Sequence, residues 1–444
     1  MSLKSKLSSI LLLMLSFVGI SSAQAPLTVE QATERAATQS RDVLQAKVGV
    51  QAKAEDASVA RTRRWPSLST SAQVGPLLNR ASVTFDQGVL GTFASTGPIP
   101  ARNTDVTIPR RIAGYDLTQV SLPLSQQPRL GLAVASANRE TDIARQQEES
   151  VRLNQVSQTR NLYFQIVALE EARRAANAQV DAATETLRLA REAVEKGTGL
   201  PLERAESEAR LAQAKADAAG LETDIRNGRE QLNLLIGEPL DTQFVLTSTT
   251  PRANLMTLEE ARKRALEAKP EVKEARLRLD QSGLSLRSKR LEYIPDVNLQ
   301  FTYLSFLNSS NALPNQIALA GFSLTWEPWD WGRKRHEAAG LRDKQEQARL
   351  TVAQTEQQVQ WEAGRAWREL DRAQRNLDAA RLASKSAEEN LRVVRERHAK
   401  QSALERELLV AQTNWESAGQ QQARAAAAVG VAWANFQAAI GAEQ

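Results

Sequence analysis

Cysteine is absent from this chain, which removes disulfides, thiolate metal sites, iron–sulfur clusters and thiol nucleophiles together. Glycine and proline are scarce, 21 and 15 in 444 residues, and aromatic residues make up only 5%. A turn-rich sandwich and a disordered tail are both disfavoured by that usage. Beyond the N-terminus no stretch approaches the roughly 20 apolar residues that an α-helical membrane span needs, in keeping with a mean hydropathy of −0.42. Neither charge dominates: 57 Lys and Arg face 52 Asp and Glu, a balance that argues against nucleic acid as a partner. What fills the chain is Ala, Gln, Glu, Arg and Leu in long stretches, the composition of extended helix.

The N-terminus carries Lys4 and Lys6, an apolar run from Ile10 to Ile20, and then Ser21-Ser22-Ala23. This is the pattern of an export signal, with cleavage expected after Ala23. Losing residues 1–23 removes two Lys and no acid, so the formal charge falls from +5 to +3. With no Cys to carry a lipid, the expected product is a bacterial envelope protein that is not a lipoprotein.

The chain repeats itself. Leu27-Thr28-Val29-Glu30-Gln31-Ala32 returns as Met256-Thr257-Leu258-Glu259-Glu260-Ala261, and the Pro66 segment returns at Pro295, both at an offset of 229 (258 − 29 and 295 − 66). The halves close on Leu235-Ile236-Gly237 and Ala439-Ile440-Gly441. Each begins with a helical region, Thr28 to about Arg64 and Thr257 to about Glu292, the second broken near Lys269-Pro270 because proline cannot continue a helix. A polar, β-type stretch follows. Then come breaker-poor segments of 69 residues, Pro128 to Lys196 and Gly332 to Lys400, each a helix of about 100 Å at 1.5 Å per residue. A tight break and a return helix of about 35 residues complete each half.

Leu211, Ala214, Ala218, Leu221, Ile225, Gly228, Leu232 and Leu235 keep 4/3 spacing; so do Leu370 to Val394 and Ala426 to Ile440. These are coiled-coil seams. Small residues at many core positions bury little area each, so other subunits are expected to supply packing. A large monomeric helical bundle is the alternative.

Between the helices the residues alternate at period two, as in Val297-Asn298-Leu299-Gln300-Phe301-Thr302-Tyr303. Strands are expected at about 66–75, 114–123, 295–306 and 315–326, each about the length of a tilted transmembrane strand. A Gly-, Pro- and Asn-rich stretch from Gly75 to Ala113 is expected to be a mobile external loop. Four strands cannot close a barrel, and open edges are not tolerated in lipid, whereas three copies would supply twelve. Soluble hairpins capping a bundle remain the other reading. Trp326, Trp329 and Trp331 at the end of the last strand resemble an interfacial aromatic girdle and tip the balance to the membrane.

The ordered set of helix, two strands, long helix and return helix, twice over, resembles the outer membrane efflux protein family, the TolC-like channels. Pro66 and Pro295 stand at the helix-to-strand turns and Glu327-Pro328-Trp329-Asp330-Trp331-Gly332-Arg333 at the strand-to-helix junction. Leu122-Pro123-Leu124 is its diverged first-half counterpart. The resemblance implies a mainly α fold with a small transmembrane β-barrel, in which residues 24–250 and 251–444 are tandem repeats. It also implies a homotrimer with a twelve-stranded barrel in outer membrane lipid and a long α-helical coiled-coil barrel in the periplasm. The function implied is the exit duct of a tripartite efflux or type I secretion system, with a periplasmic adaptor and an inner-membrane transporter of RND, ABC or MFS type as partners. Lys196, Gly197, Thr198, Gly199 and Leu200, with His398, Lys400, Gln401 and Ser402, would form the adaptor-contact tips. Glu203 and Glu407, supported by Glu206 and Glu405, would make a charged ring at the periplasmic gate, favouring cations. One departure is Val410, where the family pattern would place a second acidic position.

Catalysis finds no support: there is no phosphate loop, nucleophile elbow or HExxH, and no cofactor or metal site is expected. His336 and His398 lie at opposite ends of one predicted helix and cannot share a site within the chain. His398, near the tip, is a candidate for a pH-sensitive gate. The alternative function is a periplasmic coiled-coil structural or adaptor protein without a pore. A nutrient porin would spend its length on strands instead.

Overall fold

The computed structural model describes residues 26–76, 78, 81–108, 112–247, 256–307, 315–400 and 402–442. The segment read as an export signal lies outside them, as does Gln401, and Glu405 is described by its backbone alone. In chain order the elements are β1 (Pro26–Leu27), α1 (Val29–Gln39), α2 (Arg41–Thr62), β2 (Ser67–Pro76), β3 (Ala81–Phe85), β4 (Thr92–Phe93), β5 (Gly97–Pro98), β6 (Thr104–Ile108) and β7 (Ile112–Pro123). There follow α3 (Gln127–Glu195), α4 (Pro201–Ile236), β8 (Val245–Leu246), α5 (Leu258–Ala268), α6 (Pro270–Arg290), β9 (Asp296–Leu307), β10 (Gln316–Thr325), α7 (Arg333–Ala399) and α8 (Glu405–Ala439). No helix among the described residues is long and apolar enough to cross a membrane.

Both halves start with the same device. Thr28 Oγ1 accepts the Gln31 N–H at 3.3 Å while the Gln31 side chain accepts the Thr28 N–H at 3.1 Å. Thr257 and Glu260 repeat it at 3.3 and 2.9 Å. Such capping boxes satisfy helix N–H groups that have no partner within the helix. The first helical region, expected to be continuous, is broken at Ser40, where ψ is 135°, as the second is at Lys269, where ψ is 125°. No proline enforces the first break. The end of α1 packs on the end of α4 instead, with the Gln39 carbonyl oxygen 2.6 Å from where a Gly237 β-carbon would stand. Gly237, at φ +78°, can occupy that position because it has no β-carbon.

The chain divides into two compact units. One holds the residues through Gly49, Arg145–Glu274 and those from Ala353 onward. In it each opening helix packs against the long helix and the return helix of its own half. Ala32 and Ala36 of α1 meet Tyr163, Phe164 and Ile166 of α3 and Leu232 and Ile236 of α4. Ala261 and Ala265 of α5 meet Val359, Ala363 and Leu370 of α7 and Val429, Phe436 and Ile440 of α8. The seam residues Ala214, Ile225, Gly228, Leu232, Leu370, Ala373, Leu377, Leu391, Val394, Val429, Phe436 and Ile440 are buried. At the end of α4 the seam shifts: Leu235 is only half-buried, whereas Asn233 and Ile236 are fully buried. Asn233 Nδ2 donates to the Leu240 and Thr242 carbonyls, both at 2.8 Å, and so holds the turn after Gly237. Tyr163 ties in the short parallel β1–β8 pair, its hydroxyl lying 2.7 Å from the Leu27 carbonyl and 2.9 Å from the Thr247 N–H.

The other unit, Val50–Ala144 with Ala275–Val352, contains an antiparallel four-stranded sheet in the order β10-β9-β7-β2. The expectation of a mobile loop over Gly75 to Ala113 is corrected here. That stretch holds a second antiparallel ladder, β3 with β6, and a β4–β5 pair. Its cross-strand rows, such as Val83 with Val106 and Thr84 with Asp105, are ordinary period-two pairings that the surrounding Gly, Pro and Asn disguise.

Candidate functional site

Toward its Trp326 end the sheet separates two chemistries by register. Successive side chains leave opposite faces of a strand. One face carries the rows Leu68-Val120-Phe301-Ala320 and Leu122-Leu299-Phe322, followed by Val297-Leu324. The other carries Ser67-Ser121-Gln300-Gly321 and Ser69-Gln119-Thr302-Leu319. In these rows, the ones nearest Trp326, an apolar face backed by a small and polar one is the pattern of a strand with lipid on one side and water on the other. Toward the other end the faces mix, with Ser71-Leu117-Leu304-Ile317 on the second and Ala72-Asp116-Ser305-Gln316 on the first. The edge strands β2 and β10 are solvent-exposed along nearly their whole lengths, including Phe322 and Leu324.

The apolar face runs on to Trp326, which shares the side of Leu324 and Phe322 by the same alternation. Trp329 and Trp331, 71% and 89% exposed, pack edge to face with ring centroids 5.7 Å apart. Trp65 and Tyr293, also exposed, sit at the same end of the sheet, before β2 and β9. The sequence reading missed these two, although both directly precede the Pro66 and Pro295 landmarks or lie within two residues of them. The junction into α7 is tightly built. Asp330 accepts the Gly332 and Lys334 N–H groups at 3.1 and 3.0 Å, and those bonds hold its carboxyl below the usual aspartate range. Trp331 takes φ +56°, a strained backbone for a bulky residue. Lys334 is buried with its Nζ 2.9 Å from the Glu327 carbonyl and lies over the Tyr293 ring.

The two hairpin turns of the other unit are held by unlike means. In the first, the Thr198 and Gly199 N–H groups both donate to the Ala193 carbonyl, at 2.9 and 3.0 Å, and Gly197 takes φ +74°. In the second, Ser402 donates to the Arg397 carbonyl from both its N–H and its hydroxyl, each at 2.9 Å. Lys196, Leu200, Lys400 and Ser402 are exposed, and His398 is half-buried in the last turn of α7. Glu203 accepts the Leu200 N–H at 3.2 Å and so caps its own helix. Glu206 and Glu407 are exposed, and the Glu407 N–H donates to the Leu404 carbonyl at 2.9 Å. Glu203 and Glu407 thus occupy equivalent positions three residues past Leu200 and Leu404. Among the described residues no hydrogen bond or ion pair joins one turn to the other. The sequence reading also passed over Glu208, which bridges Arg191 of α3 and Arg204 of α4 at 3.1 Å each. Hydrogen bonds from Arg204 and Arg191 hold its carboxyl below the usual range. Glu208 lies five residues past Glu203, in the same run of acids, and nothing in spacing alone distinguishes it.

The family model described as "Outer membrane efflux protein" matches residues 32–238 and again residues 261–442. The chain belongs to that family. Sequence comparison with curated proteins gives no significant match. Among solved structures, the fold is similar to the CmeC outer membrane channel of Campylobacter jejuni, with a TM-score of 0.74 at 15% identity over 93% of this chain and 85% of that one. VceC of Vibrio cholerae gives 0.70 at 15%, covering 93% and 96%. The open state of the MtrE outer membrane channel of Neisseria gonorrhoeae gives 0.70 at 18%, covering 94% and 89%. This outer membrane efflux protein has the TolC-like channel-tunnel fold, mainly α with a small β-sheet, carried by two tandem repeats. Family membership makes it an outer-membrane channel of efflux that extends into the periplasm, and a poreless periplasmic coiled-coil protein is not favoured. The family is one of channels rather than enzymes.

Proposed function

We propose that three copies of this chain close a twelve-stranded barrel in the outer membrane and form the exit duct of a tripartite efflux or type I secretion system. The observation that supports this reading is the four-stranded sheet itself. Its order leaves β2 and β10 each with an unpaired edge of ten residues, and unpaired backbone groups each cost several kcal/mol in hydrocarbon. Pairing β2 of one copy with β10 of the next satisfies both edges at once and keeps the apolar rows next to Trp326 outward. At the far ends of the helices, the turns at Lys196–Leu200 and Lys400–Ser402 would meet a periplasmic adaptor. An inner-membrane transporter of RND, ABC or MFS type would supply the energy.

At the entrance, Glu203, Glu206, Glu405 and Glu407 would ring the pore in three copies and favour cations. His398 would add pH sensitivity there. The test uses the absence of cysteine. In a chain with none of its own, Cys is placed at Ala72 in β2 together with one of Ala318, Ala320 or Phe322 in β10. Disulfide-linked trimers in one of the three registers are expected from outer membranes; exclusively monomeric chains in all three would refute the closed barrel.

A further inference from the structure

Immediately below the aromatic end of the sheet, α6 and α7 run antiparallel in one compact unit. Lys289 pairs with Glu337, and a β-carbon at Gly283 would meet the Gln345 amide nitrogen at 3.2 Å. Between them lies an open groove of about 680 Å3 whose lining includes Arg287, Arg290, Arg342 and Arg349 against only Asp280 and Glu346. Both acids are already engaged, Asp280 with Arg139 and Glu346 with Arg349, each at 3.9 Å. Arg287 makes a single long bond, 3.4 Å, to the Gly283 carbonyl. Among the described residues Arg290 and Arg342 have no carboxylate partner.

Arg188, Arg365, Arg375, Arg381 and Arg392 are each matched by a carboxylate three or four residues away on their own helix, whereas the groove brings Arg287, Arg290 and Arg342 together from two helices. A groove that gathers unpaired guanidinium groups has the chemistry of a phosphate site, since each group offers a planar fork of donors to phosphate oxygens. Its place in the chain narrows the ligand. Arg290 stands three residues before exposed Tyr293 and six before the first residue of β9. Arg342 is nine residues into α7, about 14 Å from its start.

We infer that this groove binds the phosphate of an anionic phospholipid headgroup in the periplasmic leaflet, held chiefly by Arg287, Arg290 and Arg342. The inference rests on the proposal that the aromatic end of the sheet lies at the membrane interface. Ile294 and Tyr293, both exposed beside Arg290, offer apolar surface to the first carbons of the acyl chains. Free phosphate shares the headgroup's chemistry, but it would gain nothing from that surface.

The experiment is native mass spectrometry of the detergent-extracted full chain titrated with phosphatidylglycerol, with phosphatidylcholine, or with inorganic phosphate. Phosphatidylglycerol adducts should survive where phosphatidylcholine ones do not, and should fall with added NaCl in the wild-type protein. Each arginine near such a headgroup is worth about a fivefold change, so Arg290→Gln with Arg342→Gln should weaken retention about 25-fold. Arg290→Lys with Arg342→Lys keeps the charge but not the fork, so retention should fall less than in the double Gln variant and stay salt-sensitive, which separates lost charge from lost fold. Equal retention of the two lipids, or an unchanged double Gln variant, overturns the site. Displacement of phosphatidylglycerol by millimolar inorganic phosphate, with phosphate bound in its place, overturns the lipid as occupant. A chain that inserts in the outer membrane and forms trimers yet shows no lipid preference defeats this inference alone, leaving the channel reading intact.

Discussion

Replacing Gly430 by alanine tests how closely α8 lies on α3. A β-carbon at Gly430 would stand 2.6 Å from two carbons of the Phe164 ring and 2.8 Å from a third. Phe164 is 5% exposed and packs among Tyr163, Ile166 and Leu232, so the ring has nowhere to swing. A helical Gly-to-Ala change ordinarily stabilises by about 0.5–1 kcal/mol, whereas overpacking a filled core costs about 1–3 kcal/mol. The net expectation is a loss of about 1–2 kcal/mol at this site. Two other glycines calibrate it. At Gly228 the nearest atom is Ile166 Cγ1 at 3.0 Å, a looser contact than at Gly430 though on a buried, β-branched side chain, and the loss should be smaller than at Gly430. At Gly419 nothing lies within 4 Å, and alanine there should stabilise. A membrane assembly does not unfold in one step, so the readout is hydrogen–deuterium exchange of peptides from α8 and α3. A local loss of 1–2 kcal/mol lowers protection about 5- to 30-fold. If Gly430→Ala is protected as well as Gly419→Ala, the close helix contact argued here is wrong.

Further expectations follow from the other sites. Glu203→Gln combined with Glu407→Gln should move the reversal potential of single channels in a KCl gradient toward zero; an unchanged potential would remove the acidic ring. Tyr163→Phe should cost about 1–3 kcal/mol by leaving a buried carbonyl or N–H of the Leu27 and Thr247 region unpaired, read as faster exchange of the β1–β8 pair. Burial raises the Tyr163 hydroxyl above the ordinary tyrosine range. Its contribution is therefore complete below pH about 10 and lost as pH climbs through the raised value, an alkaline transition that the Phe variant should lack. Asp330, held low by its backbone bonds, stabilises the start of α7 above the usual aspartate range and ceases to as pH falls through the lowered value. Acid-induced change in Trp329 and Trp331 fluorescence should accordingly be absent from Asp330→Asn, and an identical acid titration would count against Asp330 as its source.

Much of the architecture was readable because it is written in punctuation: Pro66 and Pro295 before strands, Gly237 and Gly441 after helices. The break at Ser40 escaped because no proline marks it, although the repeat offset already contained it, since 269 − 229 is 40. The ladder of β3 and β6 escaped because composition was allowed to outweigh the alternation in Ala81–Phe85 and Thr104–Ile108. At the tips, Glu203 and Glu208 look alike in sequence. Only the fold shows that one caps its own helix while the other clamps two. The arginine groove could not be read at all, because Arg290 and Arg342 become neighbours only when α6 and α7 lie side by side.

The unpaired edges of β2 and β10 carry a kinetic consequence. A lone chain offers two sticky borders and no way to seal them, so it is a poor candidate for entering lipid by itself and a good one for mispairing. With three copies closing the barrel as proposed, insertion becomes a reaction of high molecular order, steep in the concentration of newly exported chains. Halving the supply should lower the yield of finished channels by far more than half, and chains arriving too slowly would be left to proteases rather than to the membrane.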